Sequence, residues 1–260
     1  SKEESYWFTY PDEKELENKT KPELYHWSYF KNFVNYNHYL IAKEHCGLIE
    51  KKERSPGSIE NFSITALNQF NKTWLSAVAH PDIVQDMSVY FETINIIKPQ
   101  QKFGNLTLSY EDPSFMGADR FAAMLGAINH FPESSLLVID VGSAITFDVI
   151  DKNGMHQGGL IMPGMKALRG SFEKFKTSDL SSGLKSLANN TDDAWKQGTY
   201  AMMIGAINYQ IESFQSTFSD GVISICGGKA KEFKQELPES IKFFDNLVLD
   251  GLESYSQSMG

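Results

Sequence analysis

Leu136-Leu137-Val138-Ile139-Asp140-Val141-Gly142-Ser143-Ala144-Ile145-Thr146-Phe147-Asp148-Val149-Ile150 is the stretch on which the fold turns. Two apolar, β-branched runs flank Gly142-Ser143. The turn Asp151-Lys152-Asn153-Gly154 then leads into Gly158-Gly159-Leu160-Ile161-Met162-Pro163-Gly164, so the spacing predicts a β-meander with glycines at its bends. C-terminal to it, helices are expected over Met165 to Phe175 and Asp192 to Phe218. A β-turn-α unit follows, with strand Val222 to Cys226, the turn Gly227-Gly228 and a Lys/Glu-rich helix from Lys229; strand Leu247-Val248-Leu249 and a short helix close the chain. N-terminal to the meander, Phe121, Met124, Leu125 and Ile128 fall at helical spacing between Met116 and His130, with Asp119 in the opening turn, where a carboxylate complements the helix dipole. Strands are expected over Thr73 to Ala79 and Leu106 to Tyr110, and two hairpin-like strands over the aromatic-rich Leu24 to Glu50. The economical reading is two similar α/β lobes, residues 24–115 and 116–260, behind a polar extension of residues 1–23.

Composition narrows the function. The 260 residues carry 24 Lys+Arg against 33 Asp+Glu, a net charge of −9, with 41% hydrophobic and 22% charged residues. That balance fits a globular chain with apolar surface enough for a core. It argues against nucleic acid as partner, since phosphate-backbone binding needs a basic surface. No apolar run reaches the ~18 residues of a membrane span. Ser1-Lys2-Glu3-Glu4-Ser5 lacks the basic start and apolar middle of a secretory signal, so the cytoplasm is the expected compartment. Two cysteines far apart, Cys46 and Cys226, give no disulfide framework. The six histidines show no helical i, i+4 ligand pair and Gly-x-Ser-x-Gly is absent, which removes the usual transition-metal and hydrolase signatures.

Three short stretches could carry chemistry. Asp140 ends an apolar strand just before Gly142-Ser143, placing a carboxylate, backbone N–H groups and a hydroxyl at one sheet edge; such a turn can cradle a phosphate and tether a cation, or it is a hairpin whose Asp caps a turn. Cys226-Gly227-Gly228 is a second strand-to-helix glycine turn, suited to a phosphate or to a tight connection with glycine at positive φ. In Gly117-Ala118-Asp119-Arg120, Asp119 could accept a hydroxyl proton while Arg120 holds a carboxylate with two prongs; a helix cap with a surface Arg is the alternative.

In order along the chain, these pieces resemble the type III pantothenate kinases, also called Baf-type proteins. Tyr110-Glu111-Asp112-Pro113 with Met116-Gly117-Ala118-Asp119-Arg120 looks like that family's pantothenate-binding stretch. Asp140 to Asp148 looks like its second phosphate motif, Asp-x-Gly-Thr-Ala-x-Thr-x-Asp, with Ser143 for Thr. Gly158 to Gly164 matches Gly-Gly-x-Ile-x-Pro-Gly, and Cys226-Gly227-Gly228 with Leu247 to Leu252 matches the closing pattern. The resemblance implies two ribonuclease H-like lobes of the acetate/sugar kinase, Hsp70 and actin fold, and ATP-dependent phosphorylation of pantothenate to 4′-phosphopantothenate. It implies that Asp119 is the base or orienting carboxylate for the substrate hydroxyl. Tyr110, Gly117, Ala118, Arg120 and Thr191 would line the pantothenate pocket, and Asp140 would hold a monovalent cation, potassium or ammonium. Gly142, Ser143, Gly227 and Gly228 would meet ATP, which enters with Mg2+. A homodimer is implied as well.

The same resemblance locates a departure. The family opens with Asp-x-Gly-Asn-Thr-x-x-Lys, and the matching span here is Asn32-Phe33-Val34-Asn35-Tyr36-Asn37-His38-Tyr39, in which only Asn35 persists as an ATP contact. Asn32 for Asp removes charge from a divalent-ion site, and Val34 for Gly adds a Cβ where backbone approaches phosphate. Losing one such contact costs on the order of 3 kcal/mol, about a hundredfold in rate. Two functions are therefore expected in turn: a working pantothenate kinase, or a catalytically impaired relative kept as a binding or regulatory module.

Overall fold

Chain contacts divide the protein into two units, residues 1–98 with 252–260 and residues 99–251. The computed structural model describes residues 73–76, 94–172 and 187–259. In the first unit, β1 (Thr73–Leu75) and β2 (Ile94–Ile96) pair in parallel, and Trp74 meets the Tyr255 ring edge-on at 5.5 Å. Strand Thr73 to Ala79 is seen over three residues, with 77–79 outside the described set. The hairpin pair of Leu24 to Glu50, Asn35 within it, and the extension 1–23 also lie outside.

The second unit begins with β3 (Lys102–Phe103) and β4 (Leu106–Thr107), an antiparallel pair turning at Gly104, whose φ of +54° favours glycine. Strand Leu106 to Tyr110 is shorter than its sequence suggests. Pro113 opens a 3-10 turn, Pro113–Phe115, with the Asp112 side chain accepting from Ser114 N, and extended pairing stops ahead of it. Next comes α1 (Ala118–His130), capped by Gly117.

The meander forms as its glycines and β-branched runs predict. β5 (Leu136–Val141), β6 (Ala144–Ile150) and β7 (His156–Pro163) pair antiparallel in sequence order. After α2 (Met165–Gly170) and α3 (Thr191–Thr217), β8 (Val222–Cys226) and β9 (Lys242–Phe243) add in parallel on the other side of β5. The sheet order is β7-β6-β5-β8-β9, an antiparallel meander extended by two parallel strands, which is the ribonuclease H-like arrangement.

Strand alternation divides the side chains between two faces. Leu137, Ile139, Val141, Ile145, Phe147, Ile223 and Ile225 form one core with Tyr200, Met203, Ile204, Ile207, Ile211 and Phe214 of α3. Fully burying each of these side chains contributes about 1.5–3 kcal/mol, so this layer dominates the unit's stability. Asp140, Asp148 and Cys226 occupy the alternate positions, on the face where α1 packs.

Two C-terminal expectations are corrected. The segment from Lys229 is a 3-10 turn, Ala230–Phe233, not a longer helix: Ala230 and Phe233 are both buried, successive N–H groups close onto carbonyls three residues back, and Pro238 removes the next donor. Leu247-Val248-Leu249 is not a strand but the first turn of α4 (Leu247–Ser258). Its apolar run packs on α1. A side chain at Gly251 would strike the Ala122 carbonyl group and approach Gly126 N at 2.8 Å, and one at Gly126 would strike Leu247 O. Two glycines thus let the helices touch backbone to backbone.

Candidate active site

The tetrapeptide Gly117-Ala118-Asp119-Arg120 is organised by the start of α1. The first amides of a helix lack internal partners, and the Asp119 Oδ1 accepts from Arg120 N at 2.7 Å. That carboxylate folds back over Gly117, where a Cβ would stand 2.6 Å from Oδ1 and push the Asp119 side chain aside. Ala118 is buried, Asp119 is half-buried, and Arg120 points inward at 4% exposure. Arg120 is therefore a core residue, which excludes the surface-Arg alternative.

Across from α1, Asp148 of β6 receives that guanidinium side-on. Arg120 Nε donates to Oδ2 at 2.9 Å and Nη2 to Oδ1 at 2.5 Å, while Nη1 donates to the Tyr110 hydroxyl at 2.9 Å. Burial opposes the charge on Arg120, but Asp148 and the Tyr110 hydroxyl outweigh it and hold the proton more tightly than usual. His156 of β7 adds a contact between Nε2 and Asp148 Oδ1 at 3.0 Å. Sequence reasoning missed the roles of Asp148 and His156. The available signal was an aspartate in the middle of an apolar strand, because a buried carboxylate needs a charged partner.

Asp140 ends β5 on the same face. Asp140 is half-buried, and its carboxyl is pushed up to about 7, first by desolvation and then by the charges of Asp119 and Asp148. Cross-strand from it, the buried thiol of Cys226 is pushed well above its usual value by burial and by the charges of Asp140, Asp119 and Asp250; it is a neutral packing group rather than a nucleophile. A cation beside this carboxyl would favour its ionised form. Among the described residues no group of three or more His, Cys, Asp or Glu side chains could hold a metal ion.

Both glycine turns reach Asp140. Gly142 N donates to Ala144 O at 2.8 Å, so this N–H closes its own turn, while the Ser143 side chain is exposed. Gly227 has φ of +98°, and a side chain there would collide with the Asp140 carboxyl and the Val141 backbone. Lys229 N donates to Val141 O at 3.0 Å and straps this second turn, with Gly228 exposed, to the end of β5. The structure thus assembles Tyr110, Gly117, Asp119, Arg120, Asp140 and Gly227 around one sheet face. Thr191 is not among them: it is exposed at the first turn of α3, which packs on the opposite face. Asn35 lies outside the described residues.

Comparison with known proteins adds independent findings. A family-wide sequence profile described as type III pantothenate kinase matches residues 48–213. A type III pantothenate kinase of Colwellia psychrerythraea is 31% identical over 207 residues, covering 73% of this chain and 83% of the relative. One from Xanthomonas campestris pv. campestris is 30% identical over 177 residues, covering 67% and 72%. Among solved structures, a protein described as a Baf family transcriptional activator from Campylobacter jejuni superposes with a TM-score of 0.51 at 20% identity, over 73% of this chain and 83% of that one. This last likeness bears on fold alone, and it agrees with the α/β architecture of the acetate/sugar kinase, Hsp70 and actin fold.

Proposed function

We propose, from the premise that this chain belongs to the type III pantothenate kinase family, that it transfers the γ-phosphoryl group of ATP to the primary hydroxyl of pantothenate. The product is 4′-phosphopantothenate, and the step opens coenzyme A biosynthesis. The observation that carries the reading is the convergence on one sheet face of Asp119, the Arg120–Tyr110 pair and Asp140 with its two glycine turns.

Asp119 has one carboxylate oxygen engaged by the Arg120 amide and a second to offer, and it takes or orients the hydroxyl proton as the hydroxyl oxygen attacks phosphorus and ADP leaves. Arg120 and Tyr110 receive the carboxylate of pantothenate. Gly142, Ser143, Gly227 and Gly228 form the phosphate side, and Asn35 belongs to it by resemblance. Phosphoryl transfer asks mainly for positioning and charge neutralisation. Potassium or ammonium at Asp140, and Mg2+ on the ATP phosphates, supply positive charge when bound.

A cytoplasmic homodimer is part of the same reading. Among the described strands β7 stands at an edge of the sheet, and Leu160 and Ile161 on it are exposed, surface of the kind a second copy covers. Among the described residues no helix is long and apolar enough to cross a membrane.

The test is ADP release with pantothenate, ATP, magnesium and potassium, beside Asp119→Asn as blank. Turnover that falls by about a hundredfold or more in the variant supports the reading. Pantothenate binding without turnover in the wild type overturns it in favour of a binding module. Equal rates in the two proteins remove Asp119 from its role.

A further inference from the structure

The hydrogen bonds around Asp148 form a closed frame larger than the substrate site requires. Asp148 is 1% exposed and His156 is 2% exposed. Asp148 accepts from Arg120 at both carboxylate oxygens and from His156 Nε2 at 3.0 Å. With its proton on Nε2, the His156 ring accepts at Nδ1 from the Ser109 hydroxyl, 3.1 Å away. The imidazole also lies nearly parallel to the Tyr110 ring, with centroids 6.1 Å apart and an interplanar angle of 17°. Tyr110 in turn accepts from Arg120 Nη1 at 2.9 Å. The chain of contacts therefore runs from Arg120 through Asp148 and His156 to Tyr110 and back to Arg120.

A guanidinium has five N–H donors. Three are engaged by Asp148 and Tyr110, which fixes the plane of the group and leaves its remaining donors in a set orientation. The backbone of β7 seals the frame from below, because a side chain at Gly159 would collide with the Asp148 carboxylate and stand 2.5 Å from Arg120 Nη2. This accounts for the second glycine of Gly158-Gly159. It also separates two duties within the Asp140 to Asp148 stretch: Asp140 faces the cation side, while Asp148 is occupied entirely by side chains of this protein.

We infer that Asp148 and His156, with Ser109 behind them, are positioning residues that preset Arg120 and Tyr110 for the anionic end of the substrate. The inference rests on the reading that Arg120 and Tyr110 receive the pantothenate carboxylate. Its signature is selective, since the frame touches the acceptor side and not the nucleotide side.

The experiment compares KM for pantothenate, KM for ATP and kcat in full-length wild type, His156→Phe, His156→Gln, Ser109→Ala and Arg120→Lys, with thermal melts to confirm folding. Phe keeps the ring stack and removes the donor to Asp148, so KM for pantothenate rises about tenfold while KM for ATP and kcat stay within about threefold. Gln restores a donor and recovers most of the loss. Ser109→Ala, at an exposed residue, removes the hydroxyl that meets His156 Nδ1 and gives a smaller rise of about twofold in the same constant, a second readout should His156→Phe fail to fold. An unchanged pantothenate KM in folded His156→Phe, or in Ser109→Ala where Phe does not fold, overturns the inference, as does an equal rise in both KM values. If Arg120→Lys raises the pantothenate KM and the His156 and Ser109 variants do not, the frame is structural while the substrate reading stands. If Arg120→Lys leaves that constant unchanged, the substrate reading and this inference fall together.

Discussion

Asp140 shows how a single position couples stability to function. The half-buried carboxyl of Asp140, desolvated and near the charges of Asp119 and Asp148, holds its proton up to about pH 7, against 3.8 for the free side chain. The folded state therefore binds this proton more tightly than the unfolded state. Its contribution is fully present below about pH 3.8 and is lost as pH rises through about 7, at up to about 1.4 kcal/mol per pH unit between them. Asp140→Asn is expected to flatten the fall in denaturation midpoint from pH 4.5 to 8 and to be more stable than wild type at the upper end. Potassium is expected to raise the wild-type midpoint at pH 8 and to leave that of the variant where it is. A variant with the wild-type pH slope would show that another group carries it. Asp140 and Asp119 were legible in the sequence because each sits beside a glycine at a predicted element end. Asp148 and His156 were not, because their pairing joins residues on different strands and nothing in local spacing announces it.

At the level of elements, glycine decides where pieces of backbone can meet. Gly164 closes the meander: a side chain there would stand 2.6 Å from Ser143 O, and its N–H donates to that same oxygen at 3.0 Å. Gly251 and Gly126 do the same for α4 against α1, and the His130–Asp250 pair at 2.7 Å ties the two helices again at the end of α1. Gly251→Ala is expected to destabilise by about 1–3 kcal/mol, since the methyl group lands on a carbonyl that can retreat only by separating the helices. Gly205→Ala in α3 meets nothing within 4 Å and is expected to stabilise by about 0.5–1 kcal/mol through helix propensity alone. Chemical denaturation of the two variants reads these opposite signs, and destabilisation by Gly205→Ala would contradict the open packing of that face. The meander, α1 and α3 were legible as elements because period and glycine punctuation agree over long stretches. Leu247-Val248-Leu249 was not, since a short apolar run suits a strand or a buried helical turn equally, and only the glycine contact with α1 selects the helix.

On the scale of the whole molecule, the sheet separates tasks by face. One face is an apolar layer with α3 that holds the unit together; the other gathers the ionisable groups under α1. Alternation along β5 and β6 produces this division from sequence without further instruction, with Ile139 and Phe147 on one side and Asp140 and Asp148 on the other. The same logic explains why Thr191, carried at the start of α3, stands apart from the cluster despite its place in the family pattern. The match to the family profile spans residues 48–213 and so takes in α1, the meander and most of α3. The proposed function puts phosphoryl transfer to pantothenate on the α1 face of this sheet. Labelled γ-phosphate followed from ATP, with magnesium and potassium present, tests it most directly. The account predicts label on pantothenate in the wild type and none in Asp119→Asn; ATP consumed with no label on pantothenate, or equal labelling by both proteins, would contradict it.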